Sequence, residues 1–155
     1  NFVPVAHAWM AEYLRGCDTV PLFADAIAAL DALHAAGCAQ AVLSASQLDT
    51  LRAQLAHAGI LSRFEAVLGL SHIYATSKEA VGRAYLQQCG MEPSACALLG
   101  DTLHDAEVAQ ALGCRCVLVA RGHQSRDTLA GAGVPVLDSL TAAVALLLGR
   151  NPGEF

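Results

Sequence analysis

The stretch "LLGDTLHDAEVA", residues 98–109, sets Asp101 and Asp105 four residues apart, directly after an apolar run that stops at Gly100. Carboxylates are hard oxygen ligands, so two of them converging at a strand end can hold a divalent cation such as Mg²⁺. The i, i+4 spacing puts both on one face of a helix start. Acids in a first helical turn also do a plainer job, capping free N–H groups and opposing the positive end of the helix dipole. The company these acids keep decides between the two. Ser44 closes the apolar run "AVLS", Lys78 opens "SKEA", and Arg121 and His123 follow "VLVA" in the loop "RGHQS". A hydroxyl that donates to a phosphoryl oxygen, an ammonium that neutralises it and acids that hold a cation are the parts of a phosphate-and-cation site.

Each part has a simpler reading when taken alone. Ser44 reads as a strand-end hydroxyl bonded to backbone. Lys78 reads as a solvated charge behind a Ser77 helix cap. His104 reads as a surface histidine in a first helical turn, and His7, His34, His57 and Trp9 have no spacing that suggests ligation.

The elements that must position these groups follow from periodicity and punctuation. "FADAIAALDALHAAG" and "LDTLRAQLAHAG" carry apolar residues at helical spacing and end in Gly37 and Gly59, residues suited to a helix C-terminus. Between them "CAQAVLSA" is a short apolar run of strand length. The alternation continues through strand "FEAVLGL", helix "SKEAVGRAYLQQCG", strand "ACALLG", helix "LHDAEVAQALG" and strand "CRCVLVA". It closes with a short helix at "SRDTLAG", strand "VPVL" and helix "SLTAAVALLL". Such alternation predicts an α/β fold: a doubly wound parallel sheet in three layers, with helices on both faces and the ligand site beyond the carboxyl ends of the strands.

Composition narrows the function classes. The chain has 155 residues, 55% hydrophobic and 15% charged, and a mean hydropathy of +0.44. That suits one domain with a heavily buried interior. The uncharged stretch between Asp31 and Asp49 is broken by His34, Gln40, Ser44 and Gln47, so no membrane span is expected. A net charge of −5 argues against nucleic acid, whose binding needs a basic face. The six cysteines have no C-x-x-C framework, so reduced thiols in a cytoplasmic protein are expected. Cys114 and Cys116 would face one side of a strand and read as buried strand thiols.

The order strand-Ser44, helix-Lys78, strand-Gly100-Asp101-x-x-x-Asp105 resembles the haloacid dehalogenase superfamily, and within it the phosphoglycolate phosphatase-like hydrolases. The resemblance runs from Pro21 to about Leu148. It implies a Rossmann-like core over residues 21–150, the end of a helical cap over 1–20, and a tail at 151–155. By the same resemblance Ser44 and Ala45 bind the phosphoryl group, Lys78 neutralises it, and Asp101 binds Mg²⁺. Asp105 either shares the metal or orients its waters or Lys78. Apart from the resemblance, Arg121 and His123 stand in a loop facing the presumed site and read as candidates for substrate contact. The implied reaction is Mg²⁺-dependent hydrolysis of a small phosphorylated metabolite. A phosphosugar mutase and a degenerate, non-catalytic domain of the same fold are the alternatives, and the oligomeric state is left open. A phosphoacceptor receiver domain would have its acids early and its lysine last, the reverse of the order here. A dehalogenase acting on carbon–halogen bonds would lack this metal motif.

One departure is expected to matter. Members of the family open with a strand ending in D-x-D-x-T, whose first Asp attacks phosphorus and whose second is the general acid/base. The nearest candidate, "CDTV" at Asp18, lacks the second Asp and a preceding apolar strand. The nucleophile is therefore expected upstream of Asn1, on a strand belonging inside the sheet.

Overall fold

The computed structural model describes residues 20–70 and 77–150. The helix expected in "NFVPVAHAWMAEYL", the cap end, most of the loop "SHIYATS" and the tail 151–155 lie outside the described residues.

Strands and helices alternate as the periodicity predicts. The order is α1 (Ala26–Ala35), β1 (Ala41–Gln47), α2 (Leu48–His57), β2 (Ala66–Leu70), α3 (Lys78–Cys89), β3 (Ala97–Gly100), α4 (Leu103–Leu112), β4 (Arg115–Val119), α5 (Arg126–Ala130), β5 (Val136–Leu137) and α6 (Leu140–Leu148). Local chemistry sets the helix ends. Ser77, Thr102, Ser125 and Ser139 each accept a backbone N–H of the first turn on their side-chain oxygen, satisfying donors that have no partner inside the helix. Gly90, Gly113 and Gly149 stop α3, α4 and α6 in the left-handed region that a side chain disfavours.

Among the described residues all strand pairs are parallel, but they form two sheets: β1 with β2, and β3-β4-β5. The expected single sheet is divided between β1 and β3, and no strand among the described residues joins them there. Helices bridge the division. α3 packs on β1 and β2, α4 packs on β3 and β4, and the two helices pack on each other. Gly82 permits that contact: a Cβ there would stand 2.9 Å from Leu112 Cδ1 and 3.2 Å from Leu43 Cδ2. On the other side α1 packs on α6, which covers β4 and β5, while α2 covers β1 and β2. Progression along the sheet reverses after β2, so right-handed crossovers put α2 on the face opposite α3. The result is a three-layer α/β architecture.

Burial is uneven across the division. Val117, Leu118 and Val119 of β4 are at most 5% exposed, so both faces of that strand are covered, as parallel sheets require. Val117, Val119 and Ala143 form the centre of the core, with Leu99, Leu137, Leu140 and Leu147 packed around them. Along β1, by contrast, every residue is half-buried or exposed. No helix among the described residues is long and apolar enough to cross a membrane.

Ser44 does not end its strand as the apolar pattern suggests, because β1 runs on to Gln47. The pairing with β2 is regular through Leu43↔Leu68 and resumes at Gln47↔Leu70, so residues 44–46 form a bulge. Gly69, opposite the bulge, makes room for it: a Cβ there would lie 2.8 Å from Ser46 O and 2.7 Å from Leu48 Cα. Both neighbours are backbone and cannot rotate away. Gly69→Ala should therefore cost about 1–3 kcal/mol, read as a lower urea midpoint; an unchanged midpoint would show that the bulge relaxes freely.

Candidate active site

The carboxyl end of β3 and the amino ends of α3 and α4 bring Lys78, Asp101, Thr102 and Asp105 together. Asp105 lies in the first turn of α4 and folds back over Gly100, where an added Cβ would overlap its carboxylate. Its Oδ2 accepts from the Asp101 N–H at 3.1 Å, the Thr102 N–H at 3.1 Å and the Thr102 hydroxyl at 2.9 Å. The Asp105 N–H in turn donates to Thr102 Oγ1, completing a reciprocal cap. Its Oδ1 accepts from the ammonium of Lys78, the first residue of α3. The Lys78 and Asp105 side chains are only 16% and 6% exposed.

Burial pushes the Asp105 carboxyl up, but the Lys78 ammonium and the donors of Thr102 and Asp101 outweigh it and hold the group below the usual carboxylate range. Asp105 is thus an anion with both oxygens engaged. Behind the pair, Cys116 is pushed up to about 11 by burial and by the Asp105 carboxylate, with Lys78 opposing, and stays a neutral thiol.

Asp101 is different. Its N–H is used, but its carboxylate has no hydrogen-bond or ion-pair partner among the described residues. It lies against Gly122, where a Cβ would collide with Asp101 Oδ2. Gln124 Oε1 accepts from the Leu103 N–H at 2.7 Å and ties this loop to the start of α4. No group of three or more His, Cys, Asp or Glu converges on a metal position among the described residues. The donor set still fits Mg²⁺, which commonly takes one or two protein carboxylates and completes its shell with water and phosphate oxygens. Of the two acids considered as ligands, Asp101 has the free oxygens.

The remaining residues singled out in the sequence are placed as follows. Ser44 is half-buried in the β1 bulge, where its Oγ accepts from the Ser46 N–H at 3.1 Å; it is not bonded to Lys78 or to either acid. Ala45 is exposed beside it, and His123 is exposed next to Gly122. His104 is a surface residue paired with Glu107 at 3.2 Å. Arg121, a candidate for substrate contact, is instead committed to the scaffold: it pairs with Asp25 at 2.7 Å and lies 4.6 Å over the ring of Phe23. Asp25 also accepts from the N–H groups of Leu140 at 2.7 Å and Thr141 at 3.2 Å, capping α6 from the start of α1. Burial raises its carboxyl, and those N–H donors with Arg121 more than reverse this, leaving it low. Asp25, Gln124 and Gly122 are absent from the sequence-based set. Only their three-dimensional partners distinguish them, and Asp25 has no signal in the surrounding "LFADAI".

A three-layer parallel α/β domain with a buried acid–lysine pair and a free carboxylate at its strand ends is the class the geometry defines. The haloacid dehalogenase-like hydrolase model matches residues 3–119, and the chain belongs to that family. No curated protein matches the chain. Among solved structures, a predicted phosphatase from Clostridium acetobutylicum superposes with a TM-score of 0.77 at 21% identity, covering 82% of this chain and 60% of its own. A haloacid dehalogenase-like family hydrolase from Streptococcus pneumoniae gives 0.77 at 20% identity, covering 85% and 62%. A predicted phosphoglycolate phosphatase from Haemophilus somnus gives 0.74 at 21% identity, covering 81% and 57%. At these identities the likeness is one of fold, and the chain spans about 60% of the length of these proteins.

Asp105 has a lowered carboxyl, so its contribution to stability is complete above the unfolded value of about 3.9 and disappears as pH falls through the folded one. Asp105→Asn should lower stability near neutral pH by roughly 3 kcal/mol, because it leaves a buried ammonium uncompensated. It should also flatten the loss of stability on acidification below about pH 4. Urea melts of both proteins across pH 3–7 check this, and parallel curves would show that the pair is not linked to folding.

Proposed function

We propose that this chain is the core of a Mg²⁺-dependent phosphatase that hydrolyses a phosphoric monoester of a small metabolite. The observation that carries the reading is the buried Lys78–Asp105 pair beside the unengaged carboxylate of Asp101. Lys78 neutralises a phosphoryl oxygen, and Asp105 holds its ammonium in place and charged. The Ser44 hydroxyl and the Ala45 N–H donate to other phosphoryl oxygens, and His123 contacts the rest of the substrate. Asp101 would hold Mg²⁺, which when bound supplies further charge stabilisation to the transferring group.

The attacking carboxylate belongs, in this reading, to a strand seated between β1 and β3, with its carboxyl end between Ser44 and Asp101. Attack on phosphorus expels the metabolite's oxygen and forms an acyl phosphate; water then releases phosphate and regenerates the carboxylate. The free thiols of Cys38, Cys89, Cys96, Cys114 and Cys116 suit a reducing compartment, and we place the protein in the cytoplasm. The divided sheet favours a second reading, a domain of this fold that binds a phosphorylated ligand without turnover.

Hydrolysis of an aryl phosphate by the gene product carrying this chain, with and without Mg²⁺, separates the two. The first reading expects Mg²⁺-dependent turnover, with kcat/KM lowered about 10²–10³-fold in Lys78→Met and turnover abolished in Asp101→Asn. Near-normal activity in Asp101→Asn would overturn the metal assignment. Phosphate binding without turnover in the unsubstituted protein would establish the second reading.

A further inference from the structure

We propose that Cys96 and Cys114 form a reversible dithiol–disulfide couple across β3 and β4, at the end of the sheet opposite Asp101. The two strands are parallel with Ala97 opposite Arg115, so the preceding residues, Cys96 and Cys114, stand opposite each other on one face. The Arg115 N–H donates to Cys96 O at 3.0 Å and fixes the register at the pair itself. Neighbouring strands lie about 4.8 Å apart, inside the roughly 4.4–6.8 Å between Cα atoms that a disulfide spans. The Cys96 thiol donates to Glu92 O at 3.5 Å, both cysteines are half-buried, and neither is in a disulfide.

Other thiols are less suited as partners. Cys116 faces the same side but lies two residues further along β4, beside the Lys78–Asp105 pair. Cys89 is the last residue of α3 and is exposed, away from the β3–β4 register.

The oxidant required is a small-molecule disulfide. The Cys96 thiolate attacks one of its sulfurs, expelling a thiolate and leaving a mixed disulfide; the Cys114 thiolate then attacks the Cys96 sulfur and expels the second. The small disulfide gains two electrons, the protein pair loses two, and the two thiol protons pass to the expelled thiolates. The loop so closed contains β3, Asp101, Asp105 and α4, and the bond would brace the unit that carries both acids.

The test treats the reduced chain with glutathione disulfide and maps disulfides in non-reducing digests. The expected result is a Cys96–Cys114 cross-linked peptide, the loss of two of the six thiols and a mass decrease of about 2 Da, all reversed by dithiothreitol. Cys96→Ser and Cys114→Ser, checked for folding by circular dichroism, should each abolish the cross-link; mapping the unsubstituted chain decides the matter if either fails to fold. A lasting glutathione adduct on Cys96, a link from Cys114 to Cys89 or Cys116, or unchanged thiols would overturn the proposal.

Discussion

A lysine and an aspartate withdrawn from water set the terms for the rest of this domain. Burying the Lys78 and Asp105 charges carries a desolvation cost that attraction offsets only when their remaining hydrogen-bonding capacity is met. Asp105 meets it through Thr102 and the Asp101 N–H. That requires β3 to end in a residue without a side chain, α4 to begin at once, and α3 to present its first residue across the gap. Gly100, the Thr102 cap and Gly82 each supply one of these conditions. The pair also joins the helices that span the division in the sheet, so it acts as a tie between two strand systems as well as a part of the site.

The same few residues separate two tasks that look identical in the sequence. Asp101 and Asp105 are both acids beside a helix start, yet one has every oxygen committed and the other none. The difference arises from geometry at the turn: the Asp105 side chain folds back onto the strand end, while the Asp101 side chain projects toward the wall formed by Gly122. A committed carboxylate fixes and charges a lysine; an uncommitted one is free for a cation. Helix capping and site chemistry coexist in "GDTLHD" because they use different atoms.

The order of elements was legible because helix spacing, strand length and glycine stops agree along most of the chain, from α1 ending before Gly37 to α6 ending at Gly149. Lys78 and the two acids were legible because each stands at or beside a helix start just beyond an apolar run or loop. The β1 bulge was not, since "AVLSASQ" has no punctuation after Ser44 and the accommodation comes from Gly69 on another strand. Arg121 misled for a related reason: a loop arginine near the strand ends resembles a substrate contact until its partner Asp25, 96 residues away, is known. Side chains whose role depends on distant partners leave no local pattern to read.

Asp25 itself ties chain order to cooperativity. α6 has its first turn completed by a carboxylate that precedes β1, across separations of 115 and 116 residues. Contacts of such span form only after most of the chain is in place. α6 covers β4 and β5, and α1 packs on α6, so the beginning and end of the described chain meet over the better-buried sheet. Strands that fall into two groups would by themselves favour folding in halves. This clasp opposes that division, because α1 and α6 each complete part of the other's surroundings.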